Sequence, residues 1–132
     1  MAASESALIN GVANGRAGLG TSHVFAAGNG RSAGDDTNHH NFINSIFTTT
    51  VASTDVNGVV SGTSTPGASV HVSAPGVGIL TTDITGSAGW SGGDYVTANG
   101  PSFGAPNVTG VIALMAHQHL RRRHDQCQRP AQ

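Results

Sequence analysis

An α/β domain, with a parallel sheet covered by helices, is what this 132-residue sequence predicts, and three observations carry the prediction. Strand-type and helix-type segments alternate along the chain, the order that favours parallel strands with helices across their faces. The run Val24-Phe25-Ala26-Ala27 is apolar without alternation, as a strand buried on both faces must be, and it stops at Gly28-Asn29-Gly30. Composition agrees: 37% hydrophobic and only 10% charged residues, with 19 glycines, exclude a charge-rich disordered chain. The length gives room for one domain with a sizeable core.

The elements follow in order from pattern and turn chemistry. A first helix is predicted over Glu5 to Ala13, ended by Asn14-Gly15, whose glycine can take a left-handed cap conformation. Strands are predicted near Ser22–Ala27, Ile46–Ser53, Ser69–Ser73 and Ile79–Thr82, with a hairpin-type turn at Asp55-Val56-Asn57-Gly58. The glycine-rich stretch Gly86 to Gly93, which holds Trp90, reads as a surface loop or short ribbon. A second helix, apolar from Val108 to Met115, opens after Gly100-Pro101-Ser102-Phe103-Gly104-Ala105-Pro106.

Some functional classes are disfavoured at once. A net charge of −1 gives no electrostatic case for a nucleic-acid or membrane partner. No apolar run approaches the length of a membrane span. The first six residues lack a basic region followed by an apolar core, so no signal peptide is visible, which says nothing about export. A single cysteine, Cys127, rules out an internal disulfide framework without fixing the compartment.

Two segments carry chemistry. Ser102 stands where a helix begins, beside unpaired backbone N–H groups and the positive end of the helix dipole, surroundings suited to stabilising an oxyanion. The small residues Gly100, Gly104 and Ala105 leave room for a substrate. Ser102 also reads as an N-cap, with Pro106 in an early helical turn, and both readings stand on this segment alone. The second segment ends the predicted first strand with Asn29 between two glycines, where its amide can reach into a cleft.

Together these segments resemble the subtilisin-like serine proteases, whose oxyanion asparagine lies in a strand-end AAGN sequence and whose nucleophile lies in GTSxxAP at the start of a buried helix. The resemblance covers roughly residues 7 to 116. Ala7-Leu8-Ile9-Asn10-Gly11-Val12, Asn44-Ser45-Ile46-Phe47-Thr48, Pro66-Gly67-Ala68, Ser73-Ala74-Pro75-Gly76 and Ile79-Leu80-Thr81-Thr82-Asp83 match the kexin-like branch in order and spacing. It implies the C-terminal part of a serine endopeptidase domain acting on a polypeptide substrate, secreted or extracellular. Ser102 would be the nucleophile and Asn29 the oxyanion-hole residue, with Gly28, Asp35 and Gly100 bounding the substrate. The alternative is a non-catalytic secreted binding domain derived from the same fold.

In this family the triad runs Asp, His, Ser along the chain. None of the seven histidines sits in an HGT context and no aspartate in a DTG or DSG motif. The missing Asp and His are therefore expected from an N-terminal part of the catalytic domain outside this sequence. His23 and His71, in strand-like surroundings, are expected to be structural.

The kexin-like branch favours basic residues before the scissile bond, with pocket acids and a calcium ion near the pocket floor. Counting from Asn29, Asp35 matches the first acid, the next falls on His40, and the acid preceding the PGA turn falls on Thr65. Calcium wants several hard oxygens, so Asp35 is left as the single candidate ligand of a weak site. Asp36 and Asn38 either add to it or belong to a polar turn. At the nucleophile, Pro101 replaces the usual threonine. Asn107-Val108-Thr109 is formally a glycosylation sequon, against which a buried helix would argue.

From His117 the pattern changes: all four glutamines, four of six arginines and Cys127 fall there. The chain is accordingly divided into a partial peptidase domain, residues 1–116, and an atypical basic tail, 117–132. Three readings of the tail stand: a basic extension for anionic partners, a solvated disordered end, and the product of a shifted reading frame.

Overall fold

In a computed structural model that describes residues 2–127, three parallel strands, β1 (His23–Ala26), β2 (Thr48–Thr54) and β3 (Val70–Pro75), form a sheet in the order β1-β2-β3. Helix α2 (Pro101–Cys127) packs on all three strands, and α1 (Ala2–Gly18) precedes β1. A separate antiparallel ribbon joins β4 (Ile79–Thr82) to β5 (Tyr95–Ala98). The α/β class and the parallel sheet are those the sequence predicts.

Helix α1 carries Glu5 in its first turn, a favourable charge at the positive end of the dipole, and anchors itself through buried Leu8. It breaks at Gly15, but not as expected. Gly15 is extended (φ −58°, ψ 150°), and the left-handed conformation falls on Arg16 (φ 53°) and Ala17 (φ 57°). The break is fixed from outside the helix, because Gly15 and Gly11 carbonyls accept the N–H groups of Gly20 and Thr21, both at 2.9 Å.

Strand β2 is the axis of the sheet and its most buried element. Its hydroxyls fasten the preceding loop: Thr48 Oγ1 donates to the Phe42 and Ser45 carbonyls at 2.7 and 2.9 Å, and Thr50 Oγ1 to Ile43 at 2.6 Å. Pairing with β3 shifts between Thr50 and Val51. At that irregularity the Thr50 N–H donates to Nδ1 of His71, at 3.3 Å, so the imidazole satisfies a backbone donor that the ladder leaves over. The Asp55–Gly58 turn forms as expected: Gly58 has φ 79°, and the Asp55 carboxylate accepts from the N–H groups of Asn57 and Val59.

Two expectations are corrected by the structure. Helix α2 does not stop near Met115 but continues to Cys127. No glycine or proline stands between Val111 and Cys127, and Gln, Arg and Leu all favour helix, so nothing local ends it. Residues 117–127 of the predicted tail thus belong to α2, while 128–132 lie outside the described residues. Nor is the apolar stretch of α2 buried: Val111, Leu114 and Met115 are all more than half exposed. The core is correspondingly small, with Leu8, Ala27, Val51, Ala52 and Ala74 its buried apolar members. The Gly86–Gly93 stretch is the tip of the ribbon, with Trp90 exposed. Strand β5 went unpredicted.

The seating of α2 on the sheet rests on glycine. A Cβ at Gly76 would lie 2.6 Å from the Gly100 carbonyl oxygen and 2.7 Å from Ser53 Cβ, and both obstacles are fixed. Gly76→Ala is therefore expected to destabilise the chain by about 1–3 kcal/mol, the range for overpacking a filled site. Gly62→Ala, where nothing lies within 4 Å, should change stability by less than about 0.5 kcal/mol. Urea unfolding of both variants measures the contrast.

Candidate active site

The carboxyl ends of the parallel strands, where open α/β sheets place their ligands, are where the chemistry-bearing segments meet. The Gly76 N–H reaches back to the Thr54 carbonyl at 3.0 Å, and the Gly100 N–H donates to Gly76 at 2.7 Å. This brings the start of α2 onto the ends of β2 and β3. A Cβ at Gly104 would stand 3.2 Å from the Ala74 carbonyl oxygen and 3.4 Å from that of Ala52. Asn107 adds a side-chain tie, its amide nitrogen donating to the Pro75 and Phe103 carbonyls at 3.1 and 3.3 Å. Asn107 is exposed, so burial does not argue against the sequon.

Ser102 is the second residue of α2 and is exposed. Pro101 takes the first helical position, where its missing N–H costs nothing. The helix start thus falls at Pro101, and the N-cap reading of Ser102 is set aside. Pro106, four residues on, has no N–H for the Ser102 carbonyl. No histidine among the described residues is hydrogen-bonded to the Ser102 hydroxyl.

Asn29 arrives from the other side. The Ala27 N–H extends the β1–β2 ladder by donating to Val51 at 2.9 Å, and the chain then turns at Gly28, φ 96°. The Asn29 carboxamide comes to rest against Gly100, its Oδ1 and Nδ2 3.3 and 3.8 Å from where a Gly100 Cβ would stand. Gly100 itself has φ 145°. Asn29, Gly28, Gly100 and Ser102 therefore share the carboxyl edge of the sheet. Two surface hollows, of about 570 and 500 Å³, lie elsewhere. One runs between α1 and residues 41–47, the other between the end of α1 and the middle of α2, and neither is lined by these four residues.

The three positions matched to pocket acids also converge. His40 Nε2 lies 2.8 and 3.0 Å from the two Asp35 carboxylate oxygens, and since an ionised carboxylate only accepts, Nε2 carries the proton. Thr65 Oγ1 lies 3.4 Å from Asp35 Oδ2 and accepts the Gly30 N–H at 2.8 Å. The His40 hydrogen bond, helped by the Asp36 N–H, holds the Asp35 carboxyl below its ordinary value. Asp36 does not join the cluster: it caps the 3₁₀ turn Thr37–His39 by accepting from Asn38, so Asp35-Asp36-Thr37-Asn38 is a polar turn.

Sequence reasoning missed Arg31, whose Nε donates to the Ser64 carbonyl at 2.9 Å and ties the turn after β1 to the segment that carries Thr65. It also missed Asp83, whose carboxylate accepts the Ser91 and Ile84 N–H groups and shapes the ribbon tip. The turn-type run Asp83-Ile84-Thr85-Gly86-Ser87 was the available signal for the second; the first has none in its local sequence.

Fold and site together define an α/β domain that presents a serine from the first turn of a helix on the carboxyl edge of a parallel sheet. The model of the Subtilase family matches residues 2–129. A dibasic-processing endoprotease of Schizosaccharomyces pombe is 40% identical over 116 residues, covering 85% of this chain and 16% of that protein. Kexin of Saccharomyces cerevisiae is 34% identical over 113 residues, covering 83% of this chain and 13% of kexin. A solved structure of a cold adapted subtilisin-like serine proteinase matches with a TM-score of 0.66 at 29% identity, covering 89% of this chain and 36% of that one. The chain belongs to the subtilase family, and within it the likeness is to the kexin-like proteases.

Among the described residues two carboxyls are held down by hydrogen bonds: Asp35, chiefly by His40, and Asp83, chiefly by the Ser91 N–H and then that of Ile84. A folded-state value below the unfolded one stabilises above the ordinary value of 3.8 and loses that contribution as the pH falls through the lowered value. Stability should therefore decline on acidification from about pH 4 downward. The decline should be shallower in Asp83→Asn, and in His40→Ala the Asp35 carboxyl should titrate nearer its ordinary value. Urea midpoints against pH and carboxyl carbon NMR check the two.

Proposed function

We propose that this chain carries the nucleophile-bearing part of a serine endopeptidase, with Ser102 attacking a peptide carbonyl of a polypeptide substrate. The observation that supports it most directly is the Asn29 carboxamide set against Gly100 at the start of α2, on the same sheet edge as Ser102. The Asn29 side chain and the Ser102 N–H are donors for the tetrahedral oxyanion, and the small residues around them admit the substrate backbone. The proton of Ser102 has to leave for an acyl-enzyme to form, which needs a histidine within hydrogen-bond reach and an acid to orient it. We assign both to polypeptide outside these 132 residues, in the extracellular setting the family resemblance implies.

The kexin-like relatives include a dibasic-processing enzyme. In this chain His40 and Thr65 stand at two of the three acid positions, and the remaining carboxylate is engaged by His40. Cleavage after paired basic residues should therefore be weaker.

The test is completion. Joining an in-frame segment that bears a DTG-type aspartate and an HGT-type histidine should give peptidase activity and rapid labelling of Ser102 by a fluorophosphonate, and the 132-residue chain alone should show neither. Ser102→Ala should abolish both. Asn29→Ala should lower kcat by about 10²–10³, the loss known for the oxyanion asparagine of subtilisin itself. A completed, folded enzyme whose activity survives Ser102→Ala would refute the assignment.

A further inference from the structure

The calcium ion that the family resemblance implies beside Asp35 does not fit the residues present. An ionised carboxylate offers about four lone-pair directions, and here three donors face it, with the single His40 Nε2 proton shared between both oxygens. Asp35 Oδ1 accepts from the Asp36 N–H at 2.9 Å and from His40 at 2.8 Å, while Oδ2 faces His40 at 3.0 Å and the Thr65 hydroxyl at 3.4 Å. Calcium takes six to eight oxygens, several of them commonly carboxylates, whereas the nearest further carboxylate, Asp36, caps its own turn and the imidazole brings no oxygen. Among the described residues no group of three metal-ligating side chains occurs.

We propose that Asp35, His40 and Thr65 form a metal-free clamp, in which the chain's own imidazole takes the place of a cation and ties the loop after β1 to residues 61–66. The surrounding backbone is built for this. A Cβ at Gly30 would lie 2.6 Å from Asp35 Oδ2, so the glycine leaves the carboxylate its place. The two loops are already laced together: Thr65 N–H to the Gly28 carbonyl at 2.9 Å, Thr37 N–H to Pro66 at 2.8 Å and Arg31 N–H to Thr63 at 3.3 Å. Thr65 is buried, while His40 and Asp35 have side chains 48% and 31% exposed. The pair is therefore open to solvent on one side, which keeps its expected contribution modest. The clamp owes nothing to Ser102, so a catalytically silent chain tests it as well as an active one.

Thermal unfolding of the 132-residue chain in millimolar calcium and in EDTA should give the same midpoint. His40→Ala should lower that midpoint by about 1–4 °C in both media, as a partly exposed ion pair warrants in a chain of this size. His40→Gln, which keeps a nitrogen donor for Asp35, should retain most of the stability. A calcium-dependent rise in the wild-type midpoint that disappears in Asp35→Asn would overturn the proposal. So would a His40→Ala midpoint equal to that of the wild type.

Discussion

The Gly76 carbonyl, receiving the Gly100 N–H at 2.7 Å, pins the start of α2 to the end of β3, and much of the site depends on how close that approach is. Three glycines make it feasible. Gly76 yields to the Gly100 carbonyl and Ser53, Gly104 to the Ala52 and Ala74 carbonyls, and Gly100 to the Asn29 carboxamide. A side chain at Gly76 or Gly104 would push the first turn of α2 away from the strand ends, and one at Gly100 would press on the Asn29 carboxamide. Held down, that turn leaves Ser102 exposed at the start of α2, with the Asn29 carboxamide set against Gly100 two residues before it.

The same closeness explains the unusual make-up of the interior. Under a helix whose backbone lies against the strand ends, Ala52 and Ala74 are the sizes that fit, and alanines bury little apolar area. Apart from Val51 and Ala52 the interior positions of β2 are hydroxyl-bearing, and Thr48 and Thr50 offset burial by bonding loop carbonyls, each bond adding about 0.5–1.5 kcal/mol, while the buried Ser53 hydroxyl has no partner among the described residues. Cohesion around β2 is therefore more directional and less hydrophobic than the amino-acid composition implies. The apolar side chains that composition counts include Val111, Leu114 and Met115, which project from α2 into solvent.

What the sequence made legible follows local physics. Strand β1 and its turn are readable because an unbroken apolar run ends in glycines that can reverse the chain. β4 falls where it is predicted because turn residues bound it, Gly76 and Gly78 before and Gly86 after. The end of α2 is not readable, since a helix stops where a stop signal or a neighbour stops it and no signal stands before Cys127. Arg16 and Ala17 in left-handed conformation accompany the short-range hydrogen bonds of Gly20 to Gly15 and Thr21 to Gly11, and residue type does not announce them, because neither arginine nor alanine favours that conformation. At the site, Ser102 and Asn29 stood out by context. The pairing of Asp35 with His40 is different: spacing brought the two positions to notice, but only geometry shows that one satisfies the other.

Thr65 connects the two halves of the site. Its N–H donates to the Gly28 carbonyl and its hydroxyl accepts the Gly30 N–H, so the residues on either side of Asn29 are both held by one side chain and its backbone. The same hydroxyl lies 3.4 Å from Asp35. Where Asn29 points is thus set by the loop that also positions the Asp35–His40 pair. A displacement of that pair would pass to the Asn29 carboxamide through a single buried threonine, with no intervening flexible segment to absorb it. Charge balance in the pocket and placement of the amide beside Gly100 are consequently one structural problem, solved by packing residues 61–66 against the turn that follows β1.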